Sequence, residues 1–179
     1  MKTLLNLIVV LFFLGCGYKP VSVITANVLD ESVWVDVIMS KTDPENTVAI
    51  KDSVREAMIK RLGRNLTTKE EANSIIIASI KSLTFNAILY DQFGYVTAYK
   101  TNLIVDYKVK LKNGDIKYIT TSGDYDFRIT KRINNTRFTD SVISDKDRFE
   151  AIKNASLQSF DEFISRLAIE GLRDGKYSK

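Results

Sequence analysis

One stretch decides the fold of this chain: NLIVDYKVKLKNGD, residues 102–115. Apolar and polar side chains alternate along it, which is the period of a β-strand with one buried and one wet face. It ends in Asn113-Gly114, a dipeptide typical of a tight β-hairpin turn. The stretch therefore predicts two antiparallel strands that meet at Gly114. The predicted buried face is Leu103, Val105, Tyr107, Val109 and Leu111, and the predicted wet face is Lys100, Asn102, Asp106, Lys108 and Lys110.

Two strands are predicted before this hairpin. Residues 74–80 are apolar and rich in isoleucine, and the pattern continues with a slipped phase, which indicates a long strand with a bulge near Ser82. A turn at residues 91–94 then leads into the return strand. An earlier strand begins at Ser32, and its alternation places four apolar residues on one face. These are Val33, Val35, Val37 and Met39.

The strand after Gly114 has a less regular pattern. We expect it to run through Ile116 and Tyr118 and to change phase at Gly123. It then resumes with a second apolar set, Tyr125, Phe127 and Ile129.

Two helices are predicted, each with one apolar stripe. The first begins at Asp43-Pro44 and ends near Leu62, because proline suits the first helical position and Gly63 suits the end. The second follows a polar loop, residues 130–144, and ends near Gly171. The first stripe is Ile50, Val54, Ala57, Met58 and Leu62; the second is Phe149, Ile152, Ser156, Phe160, Phe163, Ile164 and Leu167.

The order β-α-β-β-β-α predicts an α+β fold. Two helices that are apolar on one side only must bury those sides on a common sheet. We therefore expect a two-layer sandwich in which both helices pack on one face of a four-stranded, mostly antiparallel sheet. The other sheet face is expected to be largely polar.

The N-terminus indicates export. Lys2 precedes an apolar run, residues 4–14, that has signal-peptide length and is too short for a permanent membrane span. Leu14-Gly15-Cys16 resembles the lipobox of bacterial lipoproteins, and this resemblance implies cleavage before Cys16 and acylation of that residue. A buried N-terminal helix with an incidental cysteine is the alternative. The expected organisation is a signal peptide (1–15), a lipidated tether (16–31), one domain (32–171) and a tail (172–179).

Composition excludes several kinds of chemistry. The 179 residues contain one cysteine and no histidine, so once Cys16 is lipidated no thiol is left for a disulfide, a metal or a nucleophile. The commonest general base and transition-metal ligand is absent as well. We expect no cofactor and no metal. The net charge of +4 favours anionic partners, and for an exported protein these are lipid phosphates rather than nucleic acid.

The chain resembles the LptE family of lipopolysaccharide-assembly lipoproteins. The resemblance is carried by Cys16-Gly17-Tyr18, by Glu70-Glu71-Ala72 ahead of an isoleucine-rich strand, and by the Asn113-Gly114 hairpin. It implies a lipoprotein on the periplasmic face of the outer membrane. Such a protein sits as a plug inside a β-barrel of LptD type, assists its assembly, and helps lipopolysaccharide reach the outer leaflet.

Basic residues suggest where lipid phosphates could bind. Guanidinium groups suit phosphate geometry, and four basic residues lie close together with no acidic residue between them; a solvated loop is the alternative. Lysines on the wet face of the 95–111 strand form a second basic track, for which simple solubility is the stronger explanation. The first group is Arg128, Lys131, Arg132 and Arg137, and the second is Lys100, Lys108 and Lys110.

The turn at 91–94 is surrounded by aromatic residues. Exposed aromatic side chains are favoured at interfaces, so this hairpin tip is predicted to enter the partner barrel. Inward packing is equally plausible for two of the four residues. They are Tyr90, Phe93, Tyr95 and Tyr99.

Other functions leave weaker signals. Asp124 and Asp126 share one strand face and could act as an acid and base pair, but no phosphate loop, metal spacing or activated nucleophile accompanies them. A regulatory lipoprotein that activates a cell-wall synthase is a second alternative. Its tether would have to reach far, whereas about 15 residues span only roughly 20 Å. A carrier of a small apolar ligand is a third, for which the sequence gives no cavity signal.

Overall fold

The structure is a computed structural model that describes residues 29–38, 44–62, 65–129, 133–134, 137–138 and 143–173. Two helices and seven strands lie within these ranges. They are β1 (Ser32–Ile38), α1 (Pro44–Leu62), β2 (Asn65–Leu66), β3 (Ser74–Tyr90), β4 (Val96–Lys110), β5 (Ile116–Arg128), β6 (Ile133–Asn134), β7 (Arg137–Phe138) and α2 (Asp145–Arg173).

The main sheet has five strands in the order β2-β1-β3-β4-β5. Strands β3, β4 and β5 form an antiparallel meander, whereas β1 is parallel to both β2 and β3. The α+β class and the two helices are confirmed, but the expected four-stranded sheet is corrected to a mixed sheet of five. Helix α1 carries the chain back before β3 starts, so β3 runs parallel to β1.

Both predicted hairpins of the meander are present. Gly114 and Gly94 have φ values of +87° and +84°, which only glycine adopts at little cost. The predicted bulge is also present, because the β3–β4 register shifts between Ile80 and Ser82.

The prediction for β5 was wrong in one respect. Its register with β4 is continuous from Arg128 to Ile116, so the strand does not change phase at Gly123. Ile119, Thr121 and Gly123 face the helices and are buried. Because a threonine and a glycine occupy two of the buried positions, the spacing of apolar residues does not show which face of β5 is buried.

The helical stripes explain the core. On α1, Ile50 and Val54 are buried as predicted, while the side chains of Ala57, Met58 and Leu62 lie outside the described structure. The stripe predicted for α2 is buried from Ile152 to Leu167, but Phe149 is 44 % exposed. The rings of Tyr107 and Phe163 stack at 4.4 Å in the centre of this core.

The packed region includes residues before β1. Leu29 is fully buried, and the Asp30 N–H donates to the Ser74 hydroxyl at 3.0 Å. Leu29 and Asp30 therefore belong to the packed part of the described structure. The chain enters the domain beside the start of β3.

The sheet face opposite the helices is less polar than predicted. Ile116 and Tyr118, the first apolar residues predicted for β5, lie on this face because β5 keeps its phase. Their cross-strand partners are Lys110 and Lys108. Ile77 on β3 is half-buried on the same face. One end of the wet face thus combines apolar side chains with lysines.

The segment predicted as a polar loop contains two short strands. Ile133–Asn134 pairs with Arg137–Phe138 in a separate antiparallel hairpin. Helix α2 then begins at a cap, because the Ser144 hydroxyl accepts the Asp147 N–H at 3.1 Å.

Candidate functional site

The turn between β3 and β4 is fixed by one carboxylate. Asp91 Oδ1 accepts the backbone N–H groups of Phe93 and Tyr95, both at 2.9 Å. The Asp91 N–H donates to the Tyr95 carbonyl, also at 2.9 Å. These bonds give the loop one defined shape, so the aromatic side chains on it are held in place.

The hairpin tip, residues 88–95, exposes a group of apolar side chains. Phe93 is 65 % exposed and Tyr90 is 61 % exposed, and Tyr95 is also exposed. Ile88 and Leu89 add exposed aliphatic surface beside them. Apolar surface concentrated in this way is typical of interaction sites.

Sequence reasoning missed two members of this tip. Neither Leu89 nor Ile88 was among the residues predicted to be exposed at this turn. The register shifts between Ala87 and Leu89 and again before Tyr90, which changes the faces of these residues. The available signal was the absence of any charged residue between Lys81 and Asp91.

Tyr99 differs from the other three aromatic residues of the prediction. It is half-buried and stacks on Phe127 with ring centroids 6.0 Å apart. Phe127 meets Phe85 edge to face at 6.4 Å, and the Arg148 guanidinium lies 5.8 Å from the Phe85 ring. This cluster supports the tip from the helix-facing side of the sheet.

The predicted phosphate-binding residues are only partly within the described structure. Arg128 is exposed at the end of β5, where its Cα partner is Ala98. Ala98 also pairs with Leu89, so Arg128 lies at the tip end of the sheet. Lys131 and Arg132 lie outside the described residues. Arg137 belongs to β7, and its side chain lies outside them as well.

The lysine track predicted on β4 does not act as one unit. Lys100 Nζ lies 3.2 Å from Asp124 Oδ2 and 3.5 Å from Asp126 Oδ1. The hydrogen bond to Asp124, followed by the charges of Asp124 and Asp126, raises the pKa of Lys100. This ion pair is therefore kept at neutral pH and is lost as the pH rises through that raised pKa. Lys108 instead lies 5.7 Å from the Tyr118 ring.

Asp124 and Asp126 lie on the same face of β5, as the spacing predicted. Both contact Lys100, and Gln158 Nε2 also donates to Asp124 Oδ1 at 3.2 Å. These contacts assign the two carboxylates to an ion-pair cluster that joins β4, β5 and α2.

The described part of the chain offers few other kinds of site. Within it, no group of three or more Asp, Glu or Cys side chains is placed to hold a metal ion. Neither of its two helices is both long and apolar enough to cross a membrane.

Comparison with known proteins identifies one family. The family model LptE, described as lipopolysaccharide-assembly, matches residues 32–167. No curated protein matches this sequence. Among solved structures, rare lipoprotein B from Shewanella oneidensis is 15 % identical to this chain, with a TM-score of 0.49. The alignment covers 79 % of this chain and 97 % of the Shewanella protein. A minor lipoprotein from Acinetobacter baumannii is 9 % identical, with a TM-score of 0.44, and the alignment covers 80 % of this chain and 94 % of that protein.

Proposed function

Because this chain belongs to the LptE family of lipopolysaccharide-assembly proteins, we propose that it is a non-catalytic lipoprotein on the periplasmic face of the outer membrane. It plugs a β-barrel of LptD type and assists the assembly of that barrel. In this position it aids the transfer of lipopolysaccharide to the outer leaflet. Acylated Cys16 holds it at the membrane, since two or more acyl chains give stable anchoring.

The exposed hairpin tip carries this proposal. A turn fixed by Asp91 presents Tyr90, Phe93 and Tyr95 together with the aliphatic pair of Ile88 and Leu89. Exposing these side chains to water is unfavourable, and burying them in a partner recovers that free energy. Aromatic anchors of this type dominate the binding energy of many interfaces.

One of the predicted phosphate-binding residues, Arg128, lies at the same end of the sheet as the tip. Arg128 is exposed beside the tip, and Lys131, Arg132 and Arg137 follow it closely in the sequence. Guanidinium forks bind phosphate in a bidentate manner. We assign these four residues to the phosphates of lipid A or to acidic groups of the inner core.

The test of barrel capture uses two tip residues that are not needed for the core. The Phe93→Ser/Tyr95→Ser double variant should fold normally, because both side chains are exposed. We expect its recovery of the β-barrel in a detergent pull-down to fall at least about ten-fold, as for the loss of one interface anchor. Tyr118→Ser is the matched control, because this exposed tyrosine lies at the other end of the sheet.

Two results would remove the proposal. One is equal recovery of the barrel by the wild type and the tip variant. The other is a partner of a different class, such as a peptidoglycan synthase. Phosphate binding is tested separately with Arg128→Gln/Arg137→Gln, for which weaker lipopolysaccharide binding with full barrel recovery is expected.

A further inference from the structure

A second surface lies on the sheet face opposite the helices, at the end that carries the Gly114 turn. We propose that this surface binds an anionic phospholipid leaflet through lysine ammonium groups and side chains suited to the membrane interface. We call it the lysine–aromatic face. Its residues are Trp34, Ile75, Lys108, Lys110, Ile116 and Tyr118.

The strand register brings these residues together from four strands. All of them lie on the face of the sheet that the helices leave uncovered, in two neighbouring rows that run across the strands. The first row is Trp34, Ile75, Lys110 and Ile116, and the second is Asp36, Ile77, Lys108 and Tyr118.

The apolar members of this face are accessible. Tyr118 is 74 % exposed, more than any other large hydrophobic residue of the described structure, and Ile116 is 51 % exposed. Trp34 and Ile75 are half-buried and continue the apolar surface toward β1. Lys108 Nζ lies 5.7 Å from the Tyr118 ring, so an ammonium group stands beside the most exposed aromatic side chain.

The net positive charge of the face comes from Lys108 and Lys110, because Asp36 in the second row is paired with Lys51 at 3.1 Å. Lys108 and Lys110 are both exposed, and neither forms an ion pair within the described residues. Lys100, farther along the same strand, is held by two carboxylates. Lys69 lies 5.4 Å from the Trp34 ring, but it precedes Glu70 and Glu71 and adds little net charge.

This combination has the chemistry of a membrane interface. Tryptophan and tyrosine partition to the level of lipid headgroups, where the ring is apolar and the polar atom is hydrated. Lysine lays its methylene stem along apolar surface and keeps its ammonium group in the aqueous layer. A lysine near an anionic leaflet strengthens binding roughly five-fold.

The course of the chain places this face next to the membrane. Leu29 packs in the core, and Asp30 is bonded to Ser74, the first residue of β3. Ser74 neighbours Ile75 of the face. Cys16 precedes Leu29 by 13 residues, and 13 residues span at most about 45 Å. This step alone rests on the lipidation in the proposed function.

The geometry allows both surfaces to act at once. Strand β3 has 17 residues, so its ends are about 50 Å apart at the usual rise per residue. The lysine–aromatic face lies at one end and the hairpin tip at the other. A chain held to a leaflet at its anchored end can therefore still direct its tip into a partner.

Vesicle binding tests this inference with the mature chain, residues 16–179, carrying Cys16→Ser so that acyl chains do not dominate. The probe is vesicles of phosphatidylethanolamine with phosphatidylglycerol, compared with phosphatidylcholine alone and with lipopolysaccharide. We expect salt-sensitive binding to the phosphatidylglycerol vesicles and none to phosphatidylcholine, whereas binding to lipopolysaccharide is assigned to Arg128 and its neighbours in sequence and should persist in the lysine variants. Lys108→Gln/Lys110→Gln should weaken it about thirty-fold, the product of two lysine contributions.

Two further variants make the result specific. Lys81→Gln/Lys146→Gln removes the same charge outside the face and should change binding by less than about three-fold, since electrostatic attraction decays within a Debye length of the surface. Tyr118→Ser should weaken binding several-fold while leaving the charge intact. Circular dichroism confirms that each variant is folded.

Three outcomes would overturn the inference. They are equal binding to phosphatidylcholine, binding to lipopolysaccharide vesicles alone, and equal losses in the two lysine double variants. These results are independent of barrel capture, because the tip variant of that experiment changes Phe93 and Tyr95, which lie outside this face, and the pull-down measures a different partner.

Discussion

Gly123 lies directly against the backbone of Ala155, so β5 and α2 meet main chain to main chain. A Cβ atom at position 123 would lie 2.8 Å from the Ser159 nitrogen and closer still to the Ala155 carbonyl oxygen. Next to this contact, the Thr121 hydroxyl lies 2.8 Å from both the Ser159 carbonyl oxygen and its hydroxyl. A glycine and a threonine therefore set how closely the two layers pack.

Gly123→Ala is expected to lower the free energy of unfolding by about 3 kcal/mol or more, because backbone atoms cannot move aside as a flexible side chain can. Urea unfolding followed by circular dichroism measures this change. Gly114→Ala is the comparison, since it has open space around its Cβ but a positive φ, and should cost only about 1 kcal/mol. Equal costs would show that packing on Ala155 is not the cause.

Helix α2 also covers the outer edge of β5. The Ser122 N–H donates to Glu162 at 2.8 Å, the Asp124 N–H donates to Gln158 at 2.7 Å, and Arg166 donates to the Thr120 carbonyl at 2.9 Å. Four helical residues rise about 6 Å, close to the length of two strand residues. One side chain per helical turn can therefore form a hydrogen bond with the backbone of every second residue of the strand.

Gln158→Ala/Glu162→Ala should expose this edge. We expect the Ser122 and Asp124 amides to exchange with deuterium about ten-fold faster, the equivalent of one lost hydrogen bond each. Self-association should increase, because unpaired strand edges are templates for pairing. Ser165→Ala, on the same helix, is the control, since its hydroxyl bonds only within the helix. Unchanged exchange at both amides would contradict the role assigned to the two side chains.

Tyr107 gives the fold a dependence on alkaline pH. Its side chain is buried, and burial raises its pKa, an effect that Ser159 partly offsets. An unfolded tyrosine ionises near pH 10, so above this pH the unfolded state loses a proton that the folded state keeps. The contribution of Tyr107 to stability is full below about pH 10 and declines as the pH rises toward the raised value.

Tyr107→Phe should remove this decline. Urea unfolding between pH 8 and pH 11 should show a flatter curve for the variant, while at pH 7 the free energies should agree within about 1 kcal/mol. The change in the free energy of unfolding at pH 7 is small because the Tyr107 hydroxyl has no hydrogen bond of good geometry within the described residues. Tyr118→Phe, at an exposed site, should follow the wild type. Parallel curves for Tyr107→Phe and the wild type would refute the prediction.

The cap of α2 should contribute measurable stability. Ser144→Ala removes the hydroxyl that accepts the Asp147 N–H and is expected to cost about 1 kcal/mol. Ser144→Thr keeps a hydroxyl at this position and should cost less than half as much. Thermal unfolding compares the two variants, and equal losses would mean that the cap is not the origin of the effect.

Alternation and turn chemistry were sufficient for most elements. They predicted the β3–β4–β5 meander, the bulge at Ser82 and the ends of α1, because these features follow from local periodicity and from glycine and proline conformations. They also predicted the cluster of aromatic residues around Asp91. The parallel pairing of β1 with β3 and the two-residue strand β2 depend on contacts between distant segments, which a local pattern does not encode.

The sequence by itself determined the α+β class, the buried stripe of α2 from Ile152 to Leu167, the hairpin turns and the family resemblance, all of which depend on residue types at short spacing. It also predicts Cys16 as a lipidation site. Only the tertiary structure decided which face of β5 is buried. That choice depends on Gly123 and Thr121 fitting against the backbone of α2, so Ile116 and Tyr118 turn outward to join Lys108 and Lys110. The tertiary structure also showed that Lys100 is ion-paired with Asp124 and Asp126, whereas Lys108 and Lys110 are not. Ion pairing between strands depends on their register, which the sequence alone does not give.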